Sequence, residues 1–326
     1  MNASIIIPVR NGSATIADCL RALLKQDFDA RYEIIVVDDG STDDTASIVK
    51  RFKGVKLIRQ KPSGPAIARN TGAKNAKHEI VVFTDADCIP EKDWLKEMLK
   101  PFANPKVAAV QGAYRTRQRS LIARFVQTEI EYRYNKMLRS KAIDWIGSYS
   151  AAYRKRIFLR EHGFNEKFPK ASGEDPELSY RLQKKGYKLV FNPKAIVYHR
   201  HPESLIHYLR KKFQHAYWRI LLYRMHKEKA VSDSYTPQAL KAQIGMLGLA
   251  ILFAILSPFN NLFAFASLFA LFLMLLFMLP FTFFALKRDF LIGLITPAVL
   301  FLRDASFLFG LALGFISLYI RSNQAQ

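Results

Sequence analysis

Cysteine is nearly absent from this sequence, since Cys19 and Cys88 are the only two among 326 residues. Two thiols cannot form a disulfide framework, so nothing in the composition indicates an oxidising compartment. The stretch from Met1 to Pro8 also lacks the basic region and the long apolar region of a secretory signal peptide. We therefore expect the N-terminal part of the chain to remain in the cytosol.

Two common nucleotide-binding motifs are missing as well. No G-x-x-x-x-G-K-[ST] motif occurs anywhere in the chain. The turn after the first predicted strand reads V-R-N-G-S-A, and it lacks the G-x-G-x-x-G pattern that lets a pyrophosphate approach a helix N-terminus. These absences disfavour a P-loop ATPase and a dinucleotide-dependent dehydrogenase.

Charge is missing altogether from Ala242 to Leu286. This stretch is too long for one membrane span of about 20 residues and long enough for two, with residues 257–261 as the turn. With a cytosolic N-terminal part, the first helix runs outward and the second returns to Lys287 and Arg288. The positive-inside rule favours this orientation.

The stretches on either side of this uncharged region are also candidate membrane elements. Residues 290–320 are apolar except for Arg303 and Asp304, and fit either one long, tilted span or a broken, re-entrant pair. Leu205 to Lys229 has apolar residues along one helical side and basic residues elsewhere. A basic amphipathic helix of this kind lies on an anionic membrane surface, or else packs on the preceding domain.

The chain is strongly basic, with 49 Lys and Arg against 27 Asp and Glu, although 50% of its residues are hydrophobic. Because the apolar residues are concentrated at the C-terminal end, the basic surplus belongs largely to the part before them. Such a surplus suits nucleic acid, anionic lipid or phosphate-bearing substrates. No motif of interleaved aromatic and basic residues is present, so we expect no nucleic-acid partner.

Strands and helices are predicted to alternate through the N-terminal part. The strands are Ser4–Val9, Tyr32–Val37, Val55–Arg59 and Ile80–Phe83, and the intervening helices begin near Ser13, Asp43 and Ala66. This order implies right-handed crossovers and an α/β fold with a mostly parallel sheet. Farther along, we predict strands at 107–114, 143–153, 187–191 and 195–198, and helices at 91–102, 121–138 and 177–185.

Two carboxylates follow the strand at Ile80–Phe83, whose unbroken apolar run is typical of a strand buried on both faces. Asp85 and Asp87 are two residues apart, so both should project from the carboxyl end of that strand, where α/β sheets bind ligands. Such a pair suits Mg²⁺ or Mn²⁺, with water and substrate phosphates completing the coordination. A pair of solvated turn aspartates would show the same pattern.

The second strand also ends in acidic residues, Asp38 and Asp39. One carboxylate there can accept hydrogen bonds from a base or a ribose hydroxyl. The other, which we expect to be Asp38, stabilises the turn at Gly40 and Ser41 through local hydrogen bonds.

Four blocks in order, S-I-I-I-P-V-R-N, I-I-V-V-D-D-G-S-T-D-D-T, A-R-N-T-G-A and T-D-A-D, resemble the signatures of the family 2 glycosyltransferases, GT-A fold enzymes that use nucleotide sugars. The resemblance covers roughly the first two hundred residues. It implies a nucleotide site formed by Pro8, Arg10, Asp39, Arg69 and Asp85, and a metal site formed by Asp85 and Asp87.

The segment G-E-D-P-E-L-S-Y-R-L, residues 173–182, resembles the acceptor block of the same family. Asp175 is the expected general base, because one carboxylate opposite the leaving diphosphate suffices for an inverting transfer. Asp175 and Pro176 also form a suitable N-cap and N1 pair, and the helix dipole would keep the carboxylate ionised. Glu174 is expected to support the base or to contact the acceptor.

A histidine is predicted to complete the metal site. His199 fits the family's V-x-H position, and an imidazole can join a carboxylate on Mn²⁺ or Mg²⁺. His201 is an open alternative, and a loop histidine without a ligand is the simpler interpretation of either residue.

The resulting prediction has three parts: a GT-A catalytic domain at 1–203, basic amphipathic interfacial helices at 204–238 and a transmembrane helical region at 239–326. The expected function is a membrane-anchored, metal-dependent, inverting glycosyltransferase at the cytosolic face of the plasma membrane, with a nucleotide-sugar donor and a lipid-linked or other membrane-associated acceptor. A noncatalytic nucleotide-sugar-binding membrane scaffold is an alternative. A processive polysaccharide synthase is another, although Tyr217 interrupts the Q-x-x-R-W motif of such synthases.

Overall fold

The computed structural model describes residues 1–168 and 173–323, with side chains as far as Ser317. Residues 169–172, directly before the acceptor block at 173–182, lie outside the described part. The contacts divide the chain into two compact units, Met1–Arg117 with Met137–Arg200 and Gln118–Lys136 with His201–Gln326. The segment 118–136, which the predicted boundary at residue 203 assigns to the first domain, makes its contacts in the second unit.

The first unit contains an eight-stranded sheet in the order β3-β2-β1-β4-β7-β6-β8-β5. The strands are β1 (Ala3–Val9), β2 (Tyr32–Asp38), β3 (Val55–Arg59), β4 (Ile80–Thr84), β5 (Cys88–Pro90), β6 (Val107–Arg115), β7 (Ser150–Arg154) and β8 (Lys188–His199). Strands β3, β2, β1 and β4 are parallel to one another, and β7 is antiparallel to both β4 and β6. The four N-terminal strands therefore end at one edge, as the alternation of strands and helices predicts.

The β4 strand lies in the interior, between β1 and β7, and each of its five residues is buried. Ile80 and Val82 pack in the main core with aliphatic residues of β1 and β2. Burial on both faces explains the continuous apolar run in the sequence.

Six helices flank this sheet: α1 (Ile16–Leu23), α2 (Thr45–Lys50), α3 (Pro65–Asn75), α4 (Trp94–Leu99), α6 (Lys155–Arg160) and α7 (Glu174–Lys184). The predicted start at Ser13 is wrong, because the N-cap of α1 is Thr15 and the Ser13 amide donates to Asp43. The helix predicted from residue 91 begins at Trp94, because its N-cap is Asp93 and the Glu91 amide still donates to the Ile196 carbonyl of β8.

The segment predicted as a strand at 143–153 is a strand only from Ser150 onward. Three successive amides before it donate to side chains instead of to a neighbouring strand: Ile146 to Ser179, Gly147 to Gln111 and Ser148 to Asp175. Since these three donors are already satisfied, residues 146–148 cannot extend the ladder of β7, although the Ile143 amide donates to the Leu189 carbonyl of β8.

The second unit is helical: α5 (Leu121–Leu138, as far as Lys136), α8 (Leu205–Met225), α9 (Lys227–Val231), α10 (Gln238–Leu256), α11 (Asn261–Arg288) and α12 (Phe290–Asn323). Three of them, α10, α11 and α12, are long and apolar enough to cross a membrane. The region from residue 290 is one continuous helix, and Pro297 lies within it.

A cluster of buried charges, which we call the helix cluster, lies inside the second unit and consists of Glu129, Arg133, Lys212, Arg303 and Asp304. Glu129 accepts from Lys212 at 2.7 Å, from Arg133 at 2.9 Å and from Arg303 at 3.2 Å. Arg303 also bonds to Asp304 and to Gln243 of α10. The cluster thus connects α5, α8, α10 and α12 through polar contacts.

Candidate active site

The carboxyl ends of β1, β2 and β4 surround a cleft of about 510 Å³ in the first unit, a size that suits a small-molecule ligand. Its lining includes every residue that the sequence assigns to the nucleotide and to the acidic pair, namely Pro8, Arg10, Asp39, Arg69, Asp85 and Asp87. Gly64 and Pro65, at the start of α3, form part of the same wall.

Asp38 and Asp39 have different partners. Asp38 is fully buried and accepts hydrogen bonds from the Ser41 amide and from Arg59. The bond from Ser41 stabilises the turn after β2, as expected for Asp38. Asp39 accepts from Gln60 and from the amides of Ser63 and Gly64, each at 2.8 Å. Asp39 therefore fixes the loop that leads into α3, in addition to lining the cleft.

Arg69 connects the cleft to α7. Its guanidinium is 4% exposed and donates to Asp85 Oδ1 and to Glu174 Oε1, both at 3.0 Å. The guanidinium also lies over the ring of Phe164, 5.6 Å from its centre. A buried guanidinium without carboxylate partners would be strongly destabilising, so these contacts fix the position of Arg69.

The residues present fit a divalent cation at the acidic pair. One oxygen each of Asp85 and Asp87 and the sulfur of Cys88 lie within 4.8 Å of one another. Burial, together with the two carboxylates, raises the pKa of the Cys88 thiol well above its usual range, so this thiol is a poor metal ligand. The partly exposed carboxylates remain as the hard oxygen donors that Mg²⁺ or Mn²⁺ prefers.

His199 lies beside this pair, with Nε2 at 3.3 Å from Asp87 Oδ2. Its ring packs 4.7 Å from the ring of Tyr114, which stacks in turn on Tyr149. His201 bonds through its own Nε2 to Gln127 in the second unit. Of the two histidines, His199 is therefore the one that contacts the acidic pair.

Asp175 is held by Ser148, whose amide and hydroxyl donate to Oδ2 at 2.9 and 3.1 Å. Its other oxygen, Oδ1, is buried and has no hydrogen-bond partner in the described part of the chain. Burial and the neighbouring Glu174 raise the pKa of Asp175 to about 7, against the lowering effect of Arg69. One oxygen is thus positioned by the protein, and the other can accept a proton.

Two predictions about Asp175 are wrong. The N-cap of α7 is Gly173, so Asp175 lies in the first turn and caps nothing. The helix dipole was expected to keep its carboxylate ionised, yet the pKa is raised, because burial and Glu174 outweigh the dipole. The raised value leaves Asp175 able to exchange protons near neutral pH.

Glu174 is 2% exposed and bonds to Arg69 and to the Gly173 amide. These contacts suit a supporting role for Glu174 behind Arg69.

The sequence offered little signal for Ser148, Gln60 or Tyr114. Ser148 lies within the strand predicted at 143–153, and the adjacent Gly147 is the one residue there that favours a turn. Serine and glutamine occur on most protein surfaces, so their type alone does not indicate a site.

The chain superposes on a mannosyltransferase from Pyrobaculum calidifontis, solved with GDP-Man and Mn²⁺, with a TM-score of 0.62 over 95% of this chain and 86% of the other. At 21% identity this likeness shows the fold alone, which is the predicted GT-A class. The Glycosyl transferase family 2 model matches residues 4–163, so this part of the chain is a family 2 glycosyltransferase domain, as the resemblance indicated.

Curated relatives agree with this assignment. Glycosyltransferase AglE of Haloferax volcanii is 30% identical over 206 residues, which are 58% of this chain and 63% of the relative. A poly-beta-1,6-N-acetyl-D-glucosamine synthase of Staphylococcus epidermidis is 32% identical over 213 residues, 62% of this chain and 50% of the relative. The chain thus spans about half to just under two thirds of the length of these two relatives.

Proposed function

We propose that this protein is a membrane-anchored, metal-dependent, inverting glycosyltransferase that uses a nucleotide sugar and a lipid-linked or other membrane-associated acceptor. The observation that carries the proposal is the cleft of the first unit, where Asp39, Arg69, Asp85 and Asp87 lie together. Arg69 links this cleft through Glu174 to the first turn of α7, where Asp175 lies. Donor and acceptor groups would then meet within one unit of the chain.

At the donor side, Asp39 and the first turn after β1 would hold the nucleoside. Asp85 and Asp87, with His199 beside them, would hold Mn²⁺ or Mg²⁺. A divalent cation there would neutralise the charge that gathers on the departing nucleoside diphosphate. Arg69 would add a fixed positive charge at the same carboxylates.

At the acceptor side, Asp175 would accept the proton of the attacking hydroxyl through Oδ1. The acceptor oxygen would form its bond to the anomeric carbon as the bond from that carbon to the diphosphate oxygen breaks. One base on the face opposite the leaving group gives inversion of configuration. A retaining double displacement would require a carboxylate nucleophile in addition.

The acceptor class follows from the C-terminal helices. Three helices long and apolar enough to span a membrane follow the catalytic domain in the same chain. A tethered enzyme meets acceptors in its own bilayer at high effective concentration, which favours a polyprenyl phosphate or a lipid-linked saccharide. We place the catalytic domain on the cytosolic side of the plasma membrane, with an anionic lipid surface beside the basic helices.

Donor use can be tested with the purified full chain, native lipid extract and a panel of nucleotide sugars, with and without Mn²⁺. Transfer of one sugar to extractable lipid, dependent on the metal, is expected. Equal transfer to soluble and membrane acceptors would contradict the lipid assignment. Tight donor binding without transfer or hydrolysis would instead favour the noncatalytic scaffold.

The metal site can be tested separately by calorimetry of donor binding. Asp87→Ala should abolish the gain in donor affinity that Mn²⁺ produces, because it removes one of the two carboxylates. Asp93→Ala, at an exposed aspartate that is not part of the cleft lining, is the matched control. An unchanged metal effect in Asp87→Ala would exclude this pair as the metal site.

Processive synthesis is the second candidate, because relatives include a polysaccharide synthase. The position that such synthases fill with arginine holds Tyr217, whose hydroxyl donates to Ser317 of α12. This residue is engaged in helix packing, so transfer of single sugars is the better supported proposal. Products longer than one added sugar would reverse this preference.

A further inference from the structure

Helix α12 runs parallel to the basic helix α8 over several turns. Ser306 Oγ donates to the Leu209 carbonyl, 97 residues earlier in the chain. A Cβ at Gly310 would meet the Phe213 carbonyl, and a Cβ at Gly314 would meet that of Tyr217, at the same separation in sequence. Only glycine permits such an approach, so α8 and this half of α12 are in direct backbone contact.

The parallel register fixes where the charges of α8 lie along α12. Arg210, Lys211, Gln214 and His215 are exposed, and they lie at the same axial level as residues 306–314 of α12. If α12 crossed the bilayer at that level, these polar side chains would face hydrocarbon. Charged groups in that environment are strongly disfavoured.

The first half of α12 is held by polar contacts at both ends. Asp289, just before the helix, bonds to Arg124 of α5, and Arg303 bonds to Glu129 of the same helix. The helical rise between residues 290 and 303 is about 20 Å, which is less than the hydrocarbon core of about 30 Å. This half therefore reaches the buried charges of the helix cluster before it could complete a crossing.

One side of α12 exposes apolar residues along its length. Leu294, Phe301, Phe309 and Ile316 are 64%, 43%, 61% and 51% exposed. At 100° per residue these positions fall within a sector of about 80°. The helix thus has one apolar stripe, and its buried side faces the charged helices α5 and α8.

We propose that α12 does not cross the bilayer but lies in the membrane interface together with α8, so that the hairpin of α10 and α11 is the inserted element. The apolar stripe of α12 would contact acyl chains, and the exposed cations of α8 would contact anionic headgroups. This inference rests on the proposed membrane association and adds which helices span the bilayer. It also places residues 290–317 entirely on one side of the membrane.

Depth measurements on reconstituted protein test the proposal. Single cysteines replace Leu294, Phe301, Phe309 or Ile316, and each is spin-labelled in vesicles of phosphatidylglycerol and phosphatidylcholine. Cys19 and Cys88 are fully buried, so the parent protein provides the unlabelled control. Collision rates with oxygen and with a water-soluble nickel chelate then give the depth of each label.

The expected result is one shallow depth for all four labels, within about 5 Å, the pitch of a single helical turn. A spanning α12 would instead give depths that change steadily over about 33 Å from residue 294 to residue 316, and this result would overturn the proposal. A label at Phe272→Cys in α11, where the native residue is 54% exposed, tests membrane insertion of the α10 and α11 hairpin separately from the position of α12. A water-accessible label there would disprove membrane insertion itself, whereas a deep label leaves only the position of α12 at issue.

Tryptophan fluorescence offers an independent measurement. Trp218 of α8 follows Tyr217, which contacts α12, so the fluorescence that Trp218→Phe removes reports the depth of the helix pair, whereas Trp94 and Trp145 of the first unit contribute equally to both proteins. Lipids brominated near the headgroup should quench it at least twofold more than lipids brominated near the chain end. Stronger quenching by the deep bromines would contradict an interfacial position.

Discussion

The two units of the chain each bury a group of charges, and the two groups differ in the balance between carboxylates and cations. In the catalytic unit, three carboxylates (Asp85, Glu174 and Asp175) surround a single guanidinium, that of Arg69, and Asp175 Oδ1 has no partner within the described part. In the helix cluster three cations, Arg133, Lys212 and Arg303, meet two carboxylates, Glu129 and Asp304, and Asp304 Oδ2 likewise has no partner within the described part. Burial alone would raise the pKa of Glu129, but Lys212, Arg133 and Arg303 hold it well below its usual range.

Under the proposed function, this difference separates a reactive site from a structural one. A buried carboxylate with surplus positive charge around it stays ionised, and it is suited to holding helices together. A buried carboxylate with too little positive charge takes up protons near neutral pH, as a general base must. The balance of charge, more than burial, would then distinguish a group of charges that performs chemistry from one that stabilises helices.

The largest expected effect is on transfer in Asp175→Asn. Loss of the base should lower kcat by about 10²–10⁴-fold, while donor and metal affinity remain unchanged. Steady-state transfer assays and calorimetry on the same preparation measure both quantities. Near-normal turnover in this variant would mean that another group removes the proton.

The counterpart in the helix cluster is Arg303→Met, which should reduce stability and spare donor binding. Removing one partner from a buried ionic group costs about 3–5 kcal/mol. Thermal unfolding in detergent measures the loss, and Arg303→Lys, which keeps the charge, serves as the control. If both variants unfold at the parent temperature, the cluster does not stabilise the helices.

The pH dependence of transfer should follow Asp175. Its pKa is raised from 3.8 to about 7, so kcat/KM should fall about tenfold per pH unit below pH 7. Stability should respond in the opposite direction, because a carboxyl with a raised pKa favours the folded state at low pH and loses this contribution as pH rises through 7. A flat profile between pH 5 and 8 would exclude Asp175 as the titrating base.

The smallest effect is expected for Ser148→Ala. The variant loses one of two hydrogen bonds to Asp175 and keeps the one from the amide, so kcat should fall about threefold to tenfold. The apparent pKa of the acidic limb should also rise, since a donor to the charged form is removed. Ser148→Thr restores the hydroxyl and should restore both values, whereas a purely structural role would leave the pKa unchanged.

Much of the catalytic unit is predictable because local and tertiary preferences agree there. The run at Ile80–Phe83 is apolar because β4 is buried on both faces, and the carboxylates after it lie at the sheet edge where the sequence placed them. The residues that the sequence assigns to the nucleotide lie in one cleft, because the parallel strands that precede most of them end at a common edge of the sheet.

The remaining features depend on contacts between distant segments. Segment 143–149 has the composition of a strand, but the amides of residues 146–148 bond to side chains from β6 and α7, far away in the sequence. The raised pKa of Asp175 likewise follows from burial and from Glu174, which the local helix pattern does not reveal. The contacts of α5 in the second unit could not be foreseen, because its partners lie up to 174 residues away.

The position of β4 between β1 and β7 makes chain length critical at one point in the molecule. Its pairing with Ala3–Ile6 and with Ser150–Arg154 fixes its register on both sides, and all five of its side chains are buried in that register. One residue inserted before Thr84 would turn both aspartates toward the opposite face of the sheet. Insertions and deletions should therefore be tolerated in the exposed turn at 103–106. The same changes between Ile80 and Thr84 should abolish activity.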